Sequence, residues 1–135
     1  MKRSEAREQA FILVFEKGFR DDSVSEIIEA AILARQLEEN AFMRDLAEGT
    51  FEHIDEIDAL IEKNCIGWKK ERISRVALAI LRLCCYELKF RPDIPVGVSI
   101  DQAVELAKKF ATTEDASYIN GVLGSVSRTE ELEKQ

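Results

Sequence analysis

The sequence has one histidine, two prolines, three cysteines and one tryptophan in 135 residues. With a single imidazole there is no His–His or Cys–His grouping to hold a metal or activate a nucleophile. His53 lies on the inner stripe of a helical pattern beside acidic neighbours, where a packed or partly exposed structural role outweighs catalysis. Phosphate loop, dinucleotide fingerprint, nucleophile elbow and HExxH are all missing. The acid pairs Glu38/Glu39 and Asp55/Glu56 are adjacent on helical patterns and diverge by about 100°, so they cannot flank one substrate. Cys65, Cys84 and Cys85 are odd in number and form no CxxC, a reduced, cytosolic pattern. Cys84 and Cys85 fall in the most apolar helix and read as small core residues. Apolar runs such as Phe11–Phe15 are far short of the roughly 20 residues of a membrane span, and the basic start turns acidic at Glu5 without a cleavage site. An enzyme, a cofactor, a metal and a membrane segment are not expected; a cytoplasmic location is.

Strand signals are missing too. No segment of four or more residues alternates cleanly, and the apolar spacing is helical nearly throughout. With 46% hydrophobic residues and only six glycines, the chain is too apolar for disorder and too poor in breakers for a loop-rich fold. Its length suits one domain, which at this size covers roughly 68–70% of the unfolded chain's surface.

Six or seven helical segments follow. The first runs from Ser4 to Lys17 and stops at Gly18, with Ala6, Ala10, Leu13 and Val14 inward. Asp22 or Ser23 caps a second, whose inner residues are Val24, Ile27, Ile28, Ala31 and Ile32. A third, longer helix is expected from Glu39 to Asn64. Gly67 breaks the pattern before a helix over 73–90, apolar on nearly all sides and so expected at the centre. Pro92 and Pro95 end it. Ser99 or Asp101 is expected to cap the next helix, and Thr112 or Thr113 the last. The expectation is an all-α fold of six or seven helices in two packed sub-bundles: a lobe over about 1–66, a second over 67–128 and a polar tail at 129–135.

Charge points to a local binding surface. The chain carries −7 overall, yet residues 1–20 hold five bases against three acids, +2, which leaves −9 on the rest. A polyanion site would therefore sit on the first helix. Arg3 and Arg7 are four residues apart, on the side of Ala10 and Val14. Guanidinium groups are not buried unpaired, so the first turns are expected to overhang the bundle or edge a cleft. Basic residues at a helix start oppose the macrodipole, a cost easier to understand if an anion arrives there; an ordinary solvated terminus is the equal alternative. Phe15 and Tyr118 could supply stacking faces for unpaired bases. Spacing favours a packed Phe15 and leaves Tyr118 open. If the last helix packs beside the first, both rings would flank one basic groove.

Three segments carry a resemblance to a known family. "RSEAREQAFILVFE", "WKKERISRVALAILRLCCYEL" and "DIPVGVSIDQAVELAKKFATTEDASYINGVL" are similar to the opening, central and closing segments of the NusB family of bacterial transcription antitermination factors. The resemblance implies an all-α fold of two helical lobes. It further implies binding to single-stranded boxA RNA of ribosomal RNA leaders as a heterodimer with NusE, a small-subunit ribosomal protein. That complex joins RNA polymerase and helps it read through terminators. Position by position, RNA binding falls on Lys2, Arg3 and Arg7, with Phe15 where members often have tyrosine. It extends to Tyr118, where they often have phenylalanine, and to Glu114 on the same edge. Glu87 and Arg91 map to the NusE surface. The opening helix has fewer arginines than some members, and Ala77 stands where aspartate is frequent. A homodimer that buries the RNA edge until NusE displaces it is left open. Two other readings compete: a helical domain related to those of ribosomal RNA cytosine methyltransferases, and a protein-only interaction module.

Overall fold

A computed structural model describes residues 1–65 and 73–130. Seven helices form among the described residues: α1 (Arg3–Lys17), α2 (Val24–Arg35), α3 (Ala41–Glu52), α4 (Ile54–Asn64), α5 (Arg75–Phe90), α6 (Val96–Phe110) and α7 (Thr113–Thr129). The expected break at Gly67 and the tail past Glu130 lie outside the described residues. Among them, no helix is long and apolar enough to cross a membrane.

Short polar side chains start most of these helices. The Ser23 hydroxyl accepts from the Glu26 N–H at 3.1 Å, while the Glu26 carboxylate accepts from the Ser23 N–H at 2.9 Å, a reciprocal pair that satisfies two orphan donors of α2. Asn40, Ser74 and Thr112 accept from the N–H three residues on in α3, α5 and α7.

α5 is the hub. It packs against α1, α3, α4, α6 and α7, and it buries ten residues from Ala77 to Leu88, Cys84 and Cys85 among them. A helix with so wide an apolar girth needs neighbours all round, as its sequence implied. Ala77 is fully buried, so a methyl group there leaves no polar atom to satisfy.

Two boundaries differ from expectation. The single helix expected over Glu39–Asn64 is two, parted at His53 (φ −113°, ψ 24°). Thr50 Oγ1 donates to the Leu46 carbonyl at 2.6 Å, a back-bond of the kind that bends helices. Asp55 and Glu56 then occupy the first turn of α4, where negative charge favours a new helix start. The His53 ring lies flat on Phe90, centroids 4.0 Å apart, consistent with a partly exposed packing role. The second difference is α6, which begins one turn before Ser99, with Pro95 as N-cap and its carbonyl accepting from Val98 and Ser99 N–H. Proline fits that place because its missing N–H would find no helical partner there. Ser99, freed from capping, points into the interior.

Candidate nucleic-acid interface

Three arginines from distant parts of the chain converge on one ring. The guanidinium carbons of Arg3, Arg91 and Arg7 lie 4.3, 5.1 and 5.3 Å from the centroid of Phe42, on α3. Cations within about 6 Å of an aromatic face are attracted by its quadrupole. The start of α1 and the end of α5 thus meet over α3, and two sets of residues that the family resemblance gives separate roles, Arg3 and Arg7 for RNA and Glu87 and Arg91 for NusE, form one cluster.

Within that cluster the charges are balanced. Arg91 binds Asp93 through two nitrogens at 2.9 and 2.8 Å and Asp45 at 2.8 Å. The Arg91 hydrogen bonds hold the Asp93 carboxyl down at about 2, and the Asp93 and Asp45 carboxylates hold the Arg91 guanidinium above its ordinary range. Asp45 also accepts from the Tyr86 hydroxyl at 3.0 Å. Burial first, and the Asp45 carboxylate second, push that phenol up to about 12. Arg3 is the loosest member: its side chain is 58% exposed and 3.8 Å from Asp93. Lys2, the N-cap residue of α1, is exposed beside it.

Arg7 departs from expectation. Its side chain is 4% exposed and makes a two-pronged pair with Glu87, itself 1% exposed, at 2.8 and 2.9 Å. Ser99 Oγ donates to the same carboxylate at 3.0 Å, and Gln102 Oε1 accepts from Arg7 at 3.4 Å. The overhang expected of the first two turns is therefore confined to Lys2 and Arg3. Arg7 is buried and paired, which meets the rule against unpaired buried guanidinium groups by a route the sequence did not disclose. Glu87, expected at a charged protein-contact surface, is likewise an interior residue.

The two rings assigned to base stacking do not share a groove with Arg7. α1 packs mainly on α2, α3 and α5, whereas α7 packs on α4, α5 and α6, so the side-by-side arrangement of first and last helix is not formed. Tyr118 is half-buried on α7 and edges a groove with Asn64, Ser125 and Arg128. Burial and the nearby Cys65 side chain raise its phenol above the usual range. Glu114 is exposed in the first turn of α7. Phe15 is half-buried between Phe11 and Phe19, with centroids 6.3 and 5.1 Å away. Ser74, at the start of α5, donates to Asp115 at 3.4 Å, so the beginning of α7 adjoins the end of α5 that also carries Arg75. Arg75 lies over Phe19 at 4.5 Å.

Phe42, Asp45 and Asp93 were missed by sequence reasoning. Phe42 occupies an inward position of a helical stripe, where a ring signals packing and nothing more. Only the Arg91–Asp93 spacing across a proline hinted at a local ion pair.

The comparisons with known proteins agree with one another. Residues 4–128 match the NusB family. The transcription antitermination protein NusB of Bacillus subtilis (strain 168) is 40% identical over 126 residues, taking in 93% of this chain and 95% of that protein. The structure of T. maritima NusB superposes with a TM-score of 0.84 at 34% identity, over 95% of this chain and 92% of that one. A crystal structure of antitermination factors NusB and NusE in complex with dsRNA matches with a TM-score of 0.84 at 27% identity, over 94% and 96% of the two chains. On the match across nearly its whole length, this chain belongs to the NusB family.

Proposed function

We propose that this chain is a transcription antitermination factor that binds RNA together with NusE. It acts by binding, with no catalytic step of its own. Its relatives carry the antitermination name, and one is described in complex with NusE and RNA. The finer reading is a single-stranded boxA element in ribosomal RNA leaders, bound in the cytoplasm by a pair that joins RNA polymerase and carries it past terminators.

The observation that supports this most directly is the exposed guanidinium of Arg3, held on the Phe42 face beside Lys2. A cation fixed on a ring and left half in water, with Asp93 no nearer than 3.8 Å, is the least tightly paired of the cluster. It is the one most open to a phosphate, while its mates are held by close carboxylates. With so few uncompensated charges on a −7 chain, RNA affinity without the partner is modest. Two phosphates on Lys2 and Arg3 give a log–log salt slope of about −1.4. A basic ribosomal protein is drawn to the acidic remainder and adds positive charge to the joint surface.

The test is a gel-shift series with boxA and scrambled RNA, with and without NusE, at two salt concentrations. Preferential retention of boxA by the pair, weakened by Arg3→Ala, is expected. Equal retention of both RNAs would remove the boxA assignment, and tight NusE binding with no RNA retained even at low salt would replace it with a protein-only role.

A further inference from the structure

We infer that the pocket between the end of α1 and the start of α5 takes one unpaired RNA nucleotide, its base stacked on Phe19 and its phosphate on Arg75. The inference rests on the RNA-binding reading above and adds residues to which that reading gives no role.

The pocket measures about 380 Å³, within the range of about 300–1,000 Å³ usual for small-molecule sites. Its floor is apolar, from Val14, Leu78 and Ala79, and its rim carries Phe15, Phe19 and Arg75. Phe19 is 55% exposed, a ring that core packing does not account for. Phe15 meets it edge-on, at an interplanar angle of 67°, and so braces it. Base–aromatic stacking needs a ring of this kind, held in place but still facing water.

Charge marks the same spot, and also Arg128 beside the Tyr118 groove, the other exposed arginine without a carboxylate at ion-pair distance among the described residues. Seven arginines among the described residues lie within ion-pair distance of a carboxylate. Arg75 is exposed and has no such partner among them. It is held over Phe19 at 4.5 Å instead. Arg82, at the far side of the pocket, is neutralised by Asp58 through two bonds of 2.8 and 2.9 Å. The uncompensated positive charge is therefore at the mouth, next to the exposed ring, and the interior is apolar. An anion joined to a flat aromatic group matches that layout. An acidic peptide would use the cation and leave the exposed ring unexplained.

The test measures binding of a labelled single-stranded RNA to the full chain with NusE, for wild type, Phe19→Ala, Arg75→Ala and Arg3→Ala. Phe19→Ala and Arg75→Ala are each expected to weaken binding about tenfold, with melting curves unchanged because both side chains are exposed. RNA substituted with 4-thiouridine is expected to crosslink to the peptide containing Phe19. Loss of affinity in Arg3→Ala alone, with the two pocket variants at wild-type affinity, would overturn the pocket and leave the RNA-binding reading intact. No RNA retained by the wild-type pair would overturn both. Weakened NusE binding in the pocket variants, with RNA affinity unchanged, would assign the pocket to protein. Free uridine monophosphate competing as well as the strand would assign it to mononucleotides.

Discussion

Arg7 on α1 and Glu87 on α5 face each other in a two-pronged ion pair, 2.8 and 2.9 Å long, with almost no access to water. Ser99 and Gln102 on α6 complete their bonding, so one arginine ties three helices together. Breaking a buried pair leaves the remaining charge uncompensated, at a cost of about 3–5 kcal/mol. Arg7→Ala and Glu87→Gln should therefore each lower the melting temperature clearly, with Arg7→Ala the larger effect. A paired apolar replacement, Arg7→Met with Glu87→Leu, should recover most of the loss, because removing both charges also removes their desolvation cost. Thermal melts of the two single variants and the pair check this. Any RNA defect in Arg7→Ala then reports a loosened α1 rather than a lost phosphate contact.

Gly49 on α3 lies directly under the Tyr86 ring of α5. A β-carbon on Gly49 would overlap Cζ, Cε1 and the hydroxyl of that ring. Tyr86 is buried and its hydroxyl is bonded to Asp45, so it cannot swing aside without losing both. Gly49→Ala should destabilise the fold by about 1–3 kcal/mol through overpacking, read by urea melting. Tyr86→Phe should not rescue it, since the ring carbons that collide remain.

Much of this fold was legible in the residues. Ser23 and Thr112 announced helix starts because capping is a local bond within four residues. The girth of apolar side chains around α5 announced its central place. The break at His53 was not legible, because the apolar spacing runs on through it and the bend depends on a threonine back-bond and on how α3 meets Tyr86. The candidate site was less legible still. That Arg7 and Arg3 lie on one side of α1 could be read from spacing, but their different fates depend on Glu87 and Phe42. These residues are far away in sequence, and each looked like an ordinary member of its own helix. Phe19 and Arg75 escaped notice for the same reason: neither means much until the two are placed 4.5 Å apart.

Tyr86 makes stability fall at alkaline pH. Its phenol is pushed up to about 12 in the fold, by burial and then by Asp45, against about 10 in an unfolded chain. The unfolded chain thus loses its proton first, and the stability tied to the neutral phenol is full below about pH 10 and lost as pH rises through 12. Tyr86→Phe should lose about 1 kcal/mol at neutral pH with the hydroxyl–carboxylate bond. It should also flatten the decline above pH 10 relative to wild type. Denaturant midpoints measured at neutral pH and between pH 9 and about pH 11 compare the two slopes.

Cys85 offers a last test, of how tightly α5 is enclosed. Its thiol is wholly buried, and burial pushes its pKa up to about 12. The reactive species is the thiolate, so Cys85 is protected twice, by lack of access and by lack of ionisation. Cys84 is nearly as buried, and its Sγ lies 3.4 Å from the Ser99 carbonyl. Iodoacetamide at pH 8 should leave both unmodified in the native protein and label them in urea, with mass spectrometry of the α5 peptide as the readout. Native labelling that tracks the global unfolding equilibrium would agree with a central helix released only when the whole fold opens. Labelling much faster than that would mean that α5 separates from its neighbours locally, and the packing of five helices on it would have to be looser than the fully buried Cys85 implies.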